Sequence, residues 1–355
     1  MPEYGGFQNA SFGSADEPMH VRPIFSFLAE KLEAGCRCAL ITVIGVTGAS
    51  TRNPGTHMAV AEDGSFIGSL SGGCIEAAVV AESRATIKAG QPREVSFGAG
   101  SRFIDLRLPC GGRIDLLIVP LTDVAFIRQL MAIIEQRAPF ALTLPRTDGV
   151  VSVEIRLCGA RLSIDTDQII VAHVPDLHLV ISGHGASVTA LARLAVALGV
   201  DSLVVSPDPL NIAQANTLGV RTHVLTMPTD RAPVLDGWTA AVFLFHEHEW
   251  EGPQLAAALA SSAFFVGAMG SVKTHGARLA ELAALGVPES DRARIVAPIG
   301  LIPSSRDPET LALSTLTQVV AAYHARTAQR AGEADTHTGN CTASSAGEFI
   351  MDGGA

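Results

Sequence analysis

The sequence predicts an α/β protein in two parts, a β-rich α+β domain followed by a Rossmann-like doubly wound parallel sheet. Three observations predict it. Before Pro175, short strand-like runs follow one another with few helices between them. After it, continuous apolar runs alternate with helical segments, the pattern of a parallel sheet covered by helices. The first of these later runs, LHLVISGHG, ends in glycines that open a helix, as a βαβ unit requires. A chain of 355 residues is long enough for two cores.

The elements follow in order. Residues 1–20, rich in Gly, Ser and Asp, are expected to be a flexible N-terminus. The first domain, 21–174, opens with PIFSFLAEKLEAG at helical spacing. CALITVIGVTGA, HMAVAEDGSFIGSL with its DG turn, REVSFGAG and RIDLLIVPL then read as strands, with a helix in IEAAVVAESRATI. A helix from Asp123 to about Arg137 and three further strands carry the chain to His173. In the second domain, 175–330, the strands are LHLVISGHG, DSLVVSPDP, AAVFLFHEHE and AFFVGAMGS; the helices are ASVTALARLAVALG, PQLAAALASS and THGARLAELAALG. Residues 331–355 have little to bury and are expected to be a flexible tail.

Composition excludes several function classes. With 48% hydrophobic residues, 17% charged and a net charge of -10, the chain has no basic stripe for nucleic acid. No apolar stretch reaches the roughly 18 residues that span a bilayer, and the N-terminus lacks the pattern of a signal peptide. A cytoplasmic protein without nucleic-acid or membrane partners is expected. Six cysteines are too few for a disulfide framework at this length. Cys36, Cys38 and Cys158 lie in or beside strand-like runs, and Cys341 lies in the tail.

Cys74 stands apart, in GSLSGGCIE, behind Gly72 and Gly73 and at the mouth of a helix. A helix N-terminus offers unpaired amides and a positive dipole end, which favour a thiolate; the alternative is a small buried cysteine in a tight turn. Cys110 repeats the pattern in LPCGG, before Gly111 and Gly112, and Arg52 supplies a cation in the TRNPG turn. Two thiols and an arginine in glycine-rich loops suit soft-metal or sulfur chemistry better than a hydrolytic triad.

In the second domain, Gly183-His184-Gly185 has the strand-to-helix context of a dinucleotide fingerprint. However, Val188 stands in the third glycine's place, and Ser206 ends the strand where an acid would hold a ribose. NAD(P) is therefore expected to bind weakly, although amides at the helix start are expected to hold a phosphate. Gly270, Ser271 and Lys273, with Arg278 behind them, form a candidate anion cradle. His246 and His248, in FHEHE, are expected on an extended segment facing one way, where they would take a metal or a proton.

The motifs TGASTRNPG, GSLSGGCIE, LPCGG, LHLVISGHG, FHEHE, VGAMGS and APIGLIPSSRDPETLALS, in this order over about residues 25–325, resemble the XdhC/CoxI family of molybdenum-enzyme maturation proteins. The resemblance implies an N-terminal domain carrying the GGC and CGG segments and a C-terminal Rossmann domain. It also implies a chaperone that binds molybdenum cofactor, assists its sulfuration and delivers it to a xanthine dehydrogenase-family molybdoenzyme. A cysteine desulfurase and a second copy of the chain are further expected partners. By motif, Cys74 and Cys110 become the acting thiols, Cys74 either as a ligand to the molybdenum or as a carrier of sulfur. Gly72, Gly73, Glu76, Gly111, Gly112, Gly183, Gly185, Gly270 and Ser271 become cofactor-binding, joined by Arg52, His246, His248 and Lys273. Where relatives read GAGHVG and VVDPR, this chain reads GHGASV and VVSPDP. The competing class is an NAD(P)- or flavin-dependent Rossmann oxidoreductase.

Overall fold

The computed structural model describes residues 21–48, 52–101, 103, 111–158, 160–230, 235–245 and 248–337, the side chains of 248 and 329–337 excepted. The chain divides into two compact units, built around Ile24–Val174 and Pro175–Ala328.

The first unit runs α1 (Arg22–Glu33), β1 (Cys38–Thr47), β2 (His57–Ala61), β3 (Phe66–Ile67), α2 (Glu76–Ala89), β4 (Arg93–Gly98), β5 (Arg113–Leu121), α3 (Val124–Glu135), β6 (Phe140–Pro145), β7 (Ser152–Ile155), β8 (Leu162–Ile164) and β9 (Gln168–His173). Four strands, rather than the three expected, follow α3. α1 forms because Ile24, Phe25, Leu28 and Leu32 recur on one face, and all four are buried. Each such side chain contributes about 1.5–3 kcal/mol on removal from water. Asp123 caps α3 by accepting from the Ala125 and Phe126 amides.

Two antiparallel sheets result, one ordered β3-β2-β1-β5-β4 and the other β7-β6-β9-β8. The first six residues of β1 are buried, and its register shifts between Val43 and Gly45. Burial pushes the thiol of Cys38, on this strand, up to about 12. α2 covers the five-stranded sheet with Val79, Ser83, Thr86 and Ile87. Between the sheets, His57 of β2 and His173 of β9 meet Nε2 to Nε2 at 3.1 Å, both buried. Thr42 Oγ1 lies 2.9 Å from His57 Nδ1, and Phe25 and Phe140 pack on the rings. Burial drives both imidazoles toward the neutral form, His57 to about 3, and the charge of Arg161 pushes the same way.

The second unit runs β10 (His178–Gly183), α4 (Ala186–Ala197), β11 (Asp201–Ser206), α5 (Pro209–Thr217), β12 (Arg221–Val224), β13 (Thr239–Leu244), α6 (His248–Leu259), β14 (Phe265–Ala268), α7 (Val272–Ala284), α8 (Glu289–Arg292), β15 (Ile295–Val296) and α9 (Pro308–His337). The six strands are parallel in the order β12-β11-β10-β13-β14-β15. This is the doubly wound order, with its reversal between β10 and β13. All six residues of β13 are buried, as a central parallel strand demands. α9 continues to His337, through residues the sequence reading places in the tail. Among the described residues no helix is long and apolar enough to cross a membrane.

Candidate functional site

In the first unit, strand direction gathers the predicted residues. β1 ends at Thr47 opposite Arg113, where β5 begins, and β4 ends at Gly98 opposite the same Arg113. β3 ends at Ile67 opposite Ala59, near the start of β2. The connections 48–56, 68–75 and 99–112 therefore leave from one edge of the five-stranded sheet. Gly48, at φ 82°, backs onto the partner loop so closely that a Cβ there would lie 3.1 Å from Gly112 Cα. Arg52 Nε donates to the Ser69 carbonyl at 2.8 Å, tying the first connection to the second. Arg52, Gly72, Gly73, Cys74, Gly111 and Gly112 thus share an edge. Cys110 lies outside the described residues, so the expected pairing of the two thiols does too.

The loop before α2 is organised by one carboxylate. Glu76 Oε1 accepts from the Ser69 hydroxyl at 2.9 Å and from the Leu70 and Ser71 amides at 3.0 and 2.9 Å. Its Oε2 accepts from the Ser71 hydroxyl at 2.8 Å and the Ile75 amide at 3.1 Å. Ser69 Oγ takes the Gly72 amide, and Ser71 Oγ takes the amides of Cys74 and Ile75. Burial alone would raise the Glu76 pKa. The hydrogen bonds from Ser71, Ser69 and Leu70 outweigh it and hold the carboxyl at about 2.

The network spends donors that the sequence leaves open. The amides of Ser71, Gly72, Cys74 and Ile75 already have acceptors within the loop, and Glu76 is buried among its own donors. What the loop turns outward is the thiol, for Cys74 is exposed. It precedes the N-cap, Ile75, which supplies no side-chain cap. Gly72 and Gly73, at φ 74° and 109°, are glycines for conformation and not for space, since a Cβ on either would meet nothing within 4 Å. An exposed soft sulfur suits a thiophilic partner.

The second unit commits its predicted residues differently. Gly183 is needed because a Cβ would come within 2.7 Å of the Leu244 backbone on β13. Gly185 is the N-cap of α4, but its amide donates to Asn211 Oδ1 at 2.7 Å. Val188 is buried, and so is Ser206, whose hydroxyl accepts the Asp208 amide. Asp208 in turn caps α5. Gly270 sits at φ 132° before Ser271, which caps α7 by accepting the Thr274 amide at 3.1 Å. Arg278, expected in the anion cradle, is buried in a bidentate pair with Glu251 at 3.0 and 2.9 Å and also donates to the Met269 carbonyl at 2.6 Å. Lys273 stays at the surface. His248 begins α6, so it does not lie on an extended segment as expected; its side chain and His246 fall outside the described residues. In the PIGL segment, the Ile299 amide bonds the Ala268 carbonyl, and the Gly300 amide bonds Gln318 of α9.

Ser69, Ser71, Asn211 and Glu251 were not singled out from the sequence. Only the first two carried a signal there, as hydroxyls a few residues before an acid at a helix start. Among the described residues no three His, Cys, Asp or Glu side chains converge as metal ligands.

Residues 31–98 match the model of the XdhC and CoxI family, and residues 179–319 that of the XdhC Rossmann domain. The chain is 33% identical over 300 residues to the molybdenum cofactor insertion chaperone PaoD of Escherichia coli K12, covering 84% of this chain and 87% of that protein. Its fold resembles a crystal structure described as a xanthine dehydrogenase from Bacillus halodurans, with a TM-score of 0.66 at 22% identity over 85% of this chain and 96% of that one.

Proposed function

Because the chain belongs to the XdhC and CoxI family, we propose that it carries molybdenum cofactor as cargo and inserts it into a molybdoenzyme of the xanthine dehydrogenase type. The observation that carries this reading is the likeness to an insertion chaperone along 84% of the chain. Cys74 is the group through which the protein meets the molybdenum end, because a soft metal–dithiolene centre prefers polarisable sulfur. The local geometry fits such cargo: the thiol is exposed, and the two glycines before it leave its approach open. Cys110 is the second thiol. In this reading the protein shields the cofactor in the cytoplasm while its sulfido ligand is installed, with a cysteine desulfurase as sulfur source. The Ser71, Gly72 and Cys74 amides of the GGC loop are spent on Glu76, Ser69 and Ser71, so they do not hold the phosphate end of the cargo.

The test is Cys74→Ser, purified from cells that make the cofactor and assayed for molybdenum and pterin. The change is nearly isosteric at an exposed site, so the unfolding midpoint is expected to stay while cofactor content falls to background. Wild-type content in a folded variant overturns the role of Cys74. The strand order of the second unit favours the competing oxidoreductase reading, and the Gly183–Gly185 turn is where that reading meets its test.

A further inference from the structure

Asn211 carries no sequence motif, yet it fills the place where a Rossmann turn receives a phosphate. In dinucleotide-binding domains the pyrophosphate sits on the amides that open the first helix, and an acid at the end of the second strand holds the ribose. Here the second glycine of the turn gives its amide to Asn211 Oδ1 at 2.7 Å, and Asn211 Nδ2 returns a bond to the Gly185 carbonyl at 3.0 Å. The same Nδ2 donates to Thr189 Oγ1 at 2.9 Å, and that hydroxyl continues to Gln214 Oε1 at 2.6 Å. The side chain is 3% exposed and is held from α4 and α5 at once. The neighbouring ribose position is closed as well, with Ser206 fully buried and Asp208 spent as a helix cap.

The space beside the turn is open on its Cβ side, since a Cβ on Gly185 would meet nothing within 4 Å. The obstacle is chemical. A phosphate oxygen reaching the Gly185 amide has to displace Asn211, which strands a buried carboxamide and the hydrogen-bond chain behind it. We infer that Asn211 is the specificity-determining residue of the Gly183–Gly185 turn, and that by occupying the amide of Gly185, the N-cap of α4, it refuses dinucleotides such as NAD(P) and FAD. The domain keeps the dinucleotide fold without the dinucleotide contact, so a cofactor-laden carrier does not compete for the cellular nicotinamide pool. This inference does not rest on Cys74 or on the identity of the cargo.

The experiment is calorimetric titration of the full chain with NAD, NADP and ADP-ribose. It compares the wild type with Ser206→Asp, with the double variant Asn211→Gly/Ser206→Asp and with the milder pair Asn211→Ser/Ser206→Asp, each checked for folding by circular dichroism. Wild type and Ser206→Asp are expected to show no binding up to about 1 mM, the weak end of ordinary enzyme affinities. The double variants, with the Gly185 amide released and an acid at the ribose, are expected to bind ADP-ribose at least about tenfold tighter. Micromolar binding of NAD by the wild type overturns the inference, and this arm needs no variant to fold. Folded double variants that bind no tighter than the wild type remove Asn211 from the role. Loss of cofactor handling in Cys74→Ser leaves both outcomes untouched, so the two readings fail separately.

Discussion

Two glycine turns open helices in this chain, one in each unit, and both hide backbone donors that sequence reasoning leaves open. They do so by different means. Before α2 the acceptor is an ionised carboxylate from the first turn of the same helix, one to seven residues from its donors. Before α4 it is a neutral carboxamide from the next helix, 26 residues away. A local charged brace sets its loop as soon as the helix forms, whereas a remote neutral latch exists only when two helices are packed. The braced loop holds an exposed thiol in place, and the latched turn closes a site that the fold inherits.

The largest effect expected from breaking a remote partnership is at Arg278, whose pair with Glu251 is buried on both sides. Arg278→Met removes the bidentate guanidinium that faces the buried Glu251 and is expected to cost about 3–5 kcal/mol, read from urea unfolding, with Glu251→Leu in the same chain recovering most of it. If the single variant unfolds at the wild-type midpoint, the remote pairing does not hold the turn at Gly270.

The local brace comes next. Glu76→Ala takes the acceptor from four loop donors, the Ile75 amide keeping the Ser71 hydroxyl, with an expected cost of about 3 kcal/mol, as some donors rehydrate. Hydrogen exchange at the amides of 70–75 is expected to accelerate while β10 and β13 keep their protection. Equal loosening of both units would show that the brace is not local.

Acid separates the two kinds of buried group within the first unit. His57 and His173 are neutral when folded, so below about pH 6.5 the unfolded chain binds protons that the folded chain does not. Their stabilising term is complete above that pH and is lost as pH falls toward about 3. For His57 alone the loss at pH 5 is about 2 kcal/mol. The Glu76 carboxylate contributes in full above its unfolded pKa near 4.5, and that contribution is lost progressively as pH falls from there through about 2. Unfolding midpoints measured from pH 7 to 3 are therefore expected to drop first on account of the histidines, and His57→Phe is expected to flatten that first drop. A drop confined to pH below 4 in the wild type would assign acid sensitivity to carboxylates alone.

The smallest effect is at the surface. Lys273→Glu is expected to shift stability by less than about 0.5 kcal/mol in thermal melts, because the lysine is exposed. A larger loss would mean that Lys273 braces the Gly270 turn as Arg278 does.

Strands such as CALITVIGVT and TAAVFL were legible because burial on one or both faces leaves a period or an unbroken apolar run. α5 and β12 were not, since α5 buries only Asn211 and Ala215 and β12 buries nothing fully. The positions of Cys74, Gly72 and Gly185 at helix entrances were legible from glycine spacing. Where each polar side chain spends its hydrogen bonds was not. Glu76 entered through the family motif, which does not show the donors that hold it, and Arg278 reads as an anion contact because sequence shows a charge without its partner, here 27 residues away.

The common exit of three loops from one edge of the five-stranded sheet has an evolutionary consequence. The connections 48–56, 68–75 and 99–112 are separate in sequence, and the β1–β2, β2–β3, β1–β5 and β4–β5 ladders that carry their ends are paired through backbone groups. Each loop is thus a replaceable cassette on a fixed frame. Descendants of such a chain can be retuned to a different cargo one cassette at a time, and Gly48 against Gly112 marks the junction where two cassettes must change together.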